Sequence, residues 1–368
     1  MRIDGTPCRT IWPQADGTVG IIDQTMLPHR LVRLRLASLS DAARAIADMQ
    51  VRGAPLIGVT AAYGLALALR KGADDHAMDA AIETLAATRP TAVNLRWALT
   101  RMRNALAPVG ASARADAAWL LAGDMAEDDI ATCAAIGDHG LALIEEIARS
   151  KPGQRVNILT HCNAGWLATV DWGTATAPIY KAHDKGIDLH VLVDETRPRN
   201  QGAALTAFEL GQHGVPHAVI VDNAGGHYMQ RGEVDLVIVG TDRTTRQGDV
   251  CNKIGTYLKA LAALDNGVPF YVAAPSSSID FALRDGLTEI PIEERHAQEV
   301  THLTGETEQG TLATIRVTPA GSGARNPAFD VTPARLVSGL ITERGIVGAN
   351  EAALSAMFGD LVGSLPPP

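Results

Sequence analysis

Apolar and polar positions are patterned differently on the two sides of residue 150. Near the start, the segments VGIIDQT and RLVRLRLAS flank Met26-Leu27-Pro28-His29 and predict a short antiparallel pair. From Ser40 onward Ala43, Ile46, Ala47 and Met49 recur at helical spacing, and the run stops before Arg52-Gly53. Residues Ala54 to Leu69 are almost wholly apolar, and Pro55 suits a first helical turn, so this stretch reads as a buried helix. Helical patterns continue through Thr91–Leu106, Ala113–Met125 and Asp128–Ala148. They end at Ser150-Lys151-Pro152-Gly153, the predicted domain boundary.

Beyond the boundary, short apolar runs alternate with helix-length segments: VNILT, DLHVLVDE, HAVIVDN, DLVIVGTD and PFYVAA. Five buried strands of this kind predict an α/β fold with a doubly wound parallel sheet. Right-handed crossovers bring their carboxyl ends to one rim, where such sheets bind ligands. That rim carries Cys162, Asp194-Glu195, Asp222-Asn223, Asp242 and Pro275. The closing prolines, Pro366 to Pro368, read as a frayed end.

Composition narrows the chemistry. With 46% apolar and 20% charged residues the chain is of ordinary globular type, and 368 residues suffice for two domains. A net charge of −9 argues against nucleic acid or an anionic membrane as partner. The cysteines Cys8, Cys133, Cys162 and Cys251 form no CxxC pair and no zinc-type spacing. Neither a disulfide framework nor a metal is indicated, and a reducing cytoplasm fits. Met1 to Pro13 lacks the apolar segment of a signal peptide, and Ala54–Leu69 is too short to span a bilayer.

The sharp turn His161-Cys162-Asn163-Ala164-Gly165 follows a strand and leads toward a helix expected near Trp166, whose N-terminus would favour a thiolate at Cys162. Arg52-Gly53 before the apolar helix is a candidate anion site. Asn252 and Lys253, read as opening a helix through Tyr257 and Leu261, form a stronger one. By pattern alone, Asp242 could equally cap a helix or pair with Arg243, and Arg96 could reach a cleft or lie in a surface ion pair. Asp194 and Glu195 read as structural partners of Arg197 or Arg199. No strand is followed by GxGxxG, Gly321 to Asn326 has the wrong ending, and GxxxxGK[ST] does not occur. A nicotinamide or triphosphate cofactor is therefore not expected.

Four motifs in order, VRGAPLIGVTAAYG, LTHCNAGWLATV, DETRPRNQGAALTAFEL and GDVCNKIGTY, resemble the 5-methylthioribose-1-phosphate isomerases of methionine salvage. That family shares a superfamily with ribose-1,5-bisphosphate isomerases and the regulatory subunits of translation initiation factor 2B. The similarity runs from about Val51 to Asn326–Asp330. It implies a smaller, mainly helical N-terminal domain (1–150) with a short antiparallel β element, packed on a Rossmann-like catalytic domain (151–365). It further implies a homodimer without metal or cofactor. Cys162 and Asp242 match the catalytic pair, while Arg52, Gly53, Ala54, Arg96, Gln201, Asn252 and Lys253 match positions that hold the phosphosugar. Thr241 and Cys251 stand where alanine is more usual.

The implied reaction has definite needs. An aldose 1-phosphate is locked as a ring because its anomeric oxygen is esterified. The enzyme must protonate the ring oxygen, manage the hydrogen at C2 and clamp the phosphate. An Asp242 kept protonated by apolar surroundings would supply the acid, with Cys162 as its acid/base partner. Rival readings are a 5-deoxyribose 1-phosphate or ribose 1,5-bisphosphate isomerase, and a regulatory binding protein without catalysis. The polar segment Glu293 to Gly310 is a candidate loop to cover the site.

Overall fold

The structure, a computed structural model, describes residues 1–89 and 92–362. The helix start expected at Thr91 and the frayed prolines Pro366–Pro368 lie outside those residues.

The chain opens on a short antiparallel hairpin, Arg2–Ile3 with Thr6–Pro7, and continues as a three-stranded antiparallel sheet: Ile11–Pro13, Val19–Ile22 and Arg33–Leu36. The last two are the expected pair. Helix Leu39–Ala47 follows, with the Ser38 side chain accepting from the Asp41 N–H. The apolar stretch Ala54–Leu69 is a helix, as expected, with all but three of its residues buried. Around it pack helices Asp75–Ala86, Val93–Leu106 and Ala111–Ser150.

The last of these merges two expected helices into one of 40 residues, roughly 60 Å long at ~1.5 Å per residue. No glycine or proline breaks the chain between Met125 and Asp128, so the polar run there stays helical and faces outward. The two halves of this helix serve different cores. Ala118, Ala122 and Met125 pack with the N-terminal helices, whereas Ile136 and Ile144 join the cluster under the large sheet. Gly140 permits that second contact, since a Cβ there would lie 2.4 Å from Pro178.

The large sheet has seven strands, in the order Gly345–Val347, Gly339–Thr342, Phe270–Ala273, Leu236–Val239, Val156–Thr160, Leu189–Asp194, His217–Ile220. All pair in parallel except the first. The five expected strands are present; the two C-terminal ones were not foreseen. The chain runs outward from Val156–Thr160 in one direction, then restarts at Leu236–Val239 in the other. The crevice of a doubly wound sheet falls at that reversal. Cys162 follows one of these two strands and Asp242 the other.

A four-stranded sheet stands over this rim: Ile279–Asp280, Arg243–Thr245, Val250–Lys253 and Phe329–Thr332. Here the structure corrects an expectation. Asn252 and Lys253 end a strand, and the helix begins only at Thr256, after Gly255 at φ 102°. The segment expected as a covering loop is partly ordered too, with helix Gln298–Thr301 leading into the hairpin His302–Glu306/Leu312–Arg316. Among the described residues no helix is long and apolar enough to cross a membrane.

Candidate active site

Cys162 sits in a left-handed backbone conformation, φ 65°. Its N–H donates to Thr196 Oγ1 at 2.8 Å, its carbonyl accepts from Thr206 Oγ1 at 2.7 Å, and its Sγ lies 3.5 Å from Gln201 Oε1. The helix expected after it is absent: Trp166–Ala168 is a single 3-10 turn. The thiol therefore lacks a helix dipole to lower its pKa. Burial pushes it up, and the nearby charges of Arg52 and Lys253 only partly offset that.

One cavity gathers most of the expected residues: Arg52, Gly53, Ala54, Cys162, Gln201, Asp242, Asn252 and Lys253 all line it. Gly53 has φ 92°, and a Cβ on it would lie 2.5 Å from the backbone of Ala168, so only glycine allows this approach. Beside it Arg52 is buried, donating to the Asn163 side-chain oxygen and, at 2.7 Å, to the Asn163 carbonyl. Lys253 lies over the ring of Phe329 at 4.6 Å. Burial pushes Lys253 down, while Cys162 and Asp242 hold it up. Asp242 is the mirror case. Burial raises its carboxyl, opposed by Lys253, Arg52 and Arg89. Arg243 is bound instead to Asp280 at 2.6 Å, so Asp242 is neither its partner nor a helix cap.

Arg96 is not brought to the cavity; it is exposed on helix Val93–Leu106. Arg89 lines the cavity in its place, with a buried Nε that has no hydrogen-bond partner among the described residues. Its NH2 stands 3.5 Å from Glu293. The available signal was its place before Pro90, which keeps residue 89 out of a helix and on a connecting loop.

The expected phosphate site at a helix N-terminus is also corrected. Asp330 accepts from the N–H groups of Gly255 (2.7 Å) and Tyr257 (3.2 Å), so that helix end is already capped. Asp194 does not fix Arg197 or Arg199. It is fully buried and takes His161 Nδ1 at 2.9 Å and Lys259 Nζ at 3.0 Å. His161, Asp194 and Asp222 lie close enough to suggest a metal group, but the Lys259 ammonium fills that position and also donates to the Asp222 carbonyl. The Asp222 carboxylate holds the N–H groups of Thr196 and Arg197.

Glu209 carries no signal in the sequence pattern. Fully buried, it accepts from Asn163 Nδ2, the N–H groups of Trp166 and Leu167, and Tyr180 OH, all at 2.6–3.1 Å. Burial pushes its carboxyl up to about 7 against those donors. It turns the Asn163 amide so that the oxygen faces Arg52.

A doubly wound sheet delivering a thiol, a carboxyl and several buried cations to its reversal point defines a protein that handles a small anionic ligand. The chain belongs to the Initiation factor 2 subunit family, whose model matches residues 50–349. Its relatives include the methylthioribose-1-phosphate isomerase of Methylocella silvestris, 65% identical over 98% of this chain and 100% of the relative. That of Acidiphilium cryptum is 66% identical, with 98% of each covered. Among solved structures, the 5-methylthioribose 1-phosphate isomerase from Pyrococcus horikoshii superposes with TM-score 0.83 at 37% identity, covering 98% of this chain and 100% of that one. The A. fulgidus translation initiation factor eIF-2B delta subunit superposes with TM-score 0.77 at 35% identity, covering 95% and 99%.

Proposed function

We propose that this chain isomerises 5-methylthioribose 1-phosphate to 5-methylthioribulose 1-phosphate in methionine salvage. The observation that carries this reading is the convergence of Cys162 and Asp242 with Arg52, Arg89 and Lys253 in one cavity. Arg89 and Lys253, with the amides of Gln201 and Asn252, supply donors for the phosphate. Much of the remaining wall is apolar, including Met49, Ile57, Ile290 and Phe329. The guanidinium of Arg243 is already bound to Asp280. That wall suits a methylthio group better than the second phosphate of a ribose 1,5-bisphosphate. A purely regulatory protein would have no chemical use for the thiol and carboxyl together.

In the sequence of steps we favour, Cys162 and Asp242 share one proton between them, held at the outset by Asp242, which gives it to the ring oxygen as the C1–O bond breaks. The Cys162 thiolate, its charge faced by Arg52 and Lys253, removes the C2 proton, and that electron pair forms the C1–C2 double bond. The thiol then returns the proton to C1 while the C2 hydroxyl gives its proton to the Asp242 carboxylate, leaving the ketose. Both groups end as they began. In keeping with the resemblance, we place the protein in the cytoplasm as a homodimer. We also keep the division into 1–150 and 151–365, because one of the three large apolar clusters draws on residues before 150 except for Val170, while the other two draw mostly or wholly on residues after it.

The test is turnover of 5-methylthioribose 1-phosphate beside 5-deoxyribose 1-phosphate and ribose 1,5-bisphosphate. The methylthio sugar should react fastest, and Cys162→Ala and Asp242→Asn should abolish the reaction. Turnover of none of the three would reject the isomerase. With a C2-deuterated substrate, exchange of the label into water supports proton transfer, whereas its complete retention at C1 would replace that step by a hydride shift.

A further inference from the structure

We propose that Thr196 and Thr206 are positioning residues for the reaction, their hydroxyls clamping the two peptide groups of Cys162 and so aiming its thiol into the cavity. A residue with a side chain adopts φ 65° only when its surroundings impose it, and such conformations gather at functional sites. At Cys162 the imposing groups are side chains. The N–H is held by Thr196 Oγ1 (2.8 Å) and the carbonyl by Thr206 Oγ1 (2.7 Å), and both threonines are buried.

Each hydroxyl is itself fixed in direction. Thr196 Oγ1 donates to the Asp194 carbonyl at 2.9 Å, so its lone pair faces the Cys162 N–H. Thr206 Oγ1 accepts from Asn163 Nδ2 at 3.1 Å, so its proton points at the Cys162 carbonyl. The two come from separate places in the chain. Thr196 follows strand Leu189–Asp194 and is itself left-handed at φ 64°, whereas Thr206 ends a wide π turn, Gly202–Thr206. A π turn widens the helix by one residue and recurs at functional sites. Here it presents Gln201 to the thiol and Thr206 to the carbonyl of the same cysteine. Loss of either hydroxyl frees residue 162 to return to ordinary φ, and the thiol leaves the position from which it serves C2.

This inference rests on the isomerase reading for its kinetic part, but the clamp also has a readout that needs no substrate. Thr206→Val keeps the volume and removes the hydroxyl, and Thr206→Ser restores it; Thr196→Ala and Thr196→Ser form a second pair. We expect kcat of Thr206→Val to fall by about 100-fold with KM little changed, the penalty of a misplaced reacting group. Alkylation at Cys162, located by peptide mass mapping to separate it from Cys251, should become several-fold faster as the thiol swings free. The serine variants should recover both values. Melting temperatures identify any variant that fails to fold, and the other threonine's pair then decides. Folded valine and alanine variants with wild-type kcat and wild-type alkylation overturn the clamp, as do serine variants no better than these. If the wild type turns over no sugar at all, the isomerase reading fails and the alkylation rates still decide the clamp.

Discussion

Charge and burial oppose each other at four groups of the cavity, Arg52, Cys162, Asp242 and Lys253. Burial raises Asp242 and Cys162 and lowers Arg52 and Lys253, and each charge is held in place by its neighbours. Arg89 adds a guanidinium whose buried Nε has no hydrogen-bond partner among the described residues, a donor ready for a substrate oxygen. Arg89→Ala should therefore raise KM by about 10–100-fold, the loss of one charge-assisted hydrogen bond of ~1.5–3 kcal/mol. Arg96→Ala, at an exposed position, should leave KM unchanged. Steady-state kinetics on the two variants checks this, and equal effects would restore Arg96 to the site. Cys162 and Asp242 were legible because each ends a strongly apolar strand. Arg89 was not, because nothing in local periodicity distinguishes the arginine that points into a cleft from one seven residues on that points to water. Glu209 was hidden for a related reason: a glutamate in a helical run reads as surface until its four donors, from three other segments, are known.

At the level of elements, the seams between strands and helices carry the site. The five central strands could be read from their apolar runs, since a parallel sheet covered on both faces leaves that signature. Val250–Lys253 could not, although all four residues are buried. Its partners are Arg243–Thr244 on one side and Phe329–Thr332 on the other, the latter nearly eighty residues away, and its polar Asn252-Lys253 end resembles a helix start. The π turn was equally invisible, but it rests on a glycine whose role can be tested. A Cβ at Gly202 would lie 1.7 Å from the Asp194 carbonyl, which belongs to the central sheet and cannot move aside. Gly202→Ala should destabilise the fold by about 2–4 kcal/mol and suppress turnover, because the same shift displaces Gln201 and Thr206. Urea unfolding followed alongside activity checks it; a stable, active variant would show that the turn can shift without harm.

Across the whole molecule, a chain of ion pairs links helix Gln298–Thr301, which leads into the hairpin His302–Glu306/Leu312–Arg316, to the cavity. Glu299 accepts from Arg199 (2.8 Å), Arg295 (2.7 Å) and Asn326 (3.0 Å), and the other arm of Arg295 reaches Glu293 at 2.9 Å. Glu293 in turn faces Arg89. Burial alone would raise Glu299, but the bonds from Arg295, Arg199 and Asn326 prevail and bring it down to about 2 from 4.5. The folded state therefore binds this proton less readily than the unfolded chain. The resulting stabilisation is present above about pH 4.5 and is lost as pH falls toward 2. Partial burial limits it to about 1–3 kcal/mol. Glu299→Gln should be less stable than wild type by that amount at neutral pH, and the two unfolding free energies should converge in acid. A gap that stayed constant as pH fell would mean that Glu299 acts through its shape and neutral hydrogen bonds, and that its charge does not hold this helix to the catalytic rim.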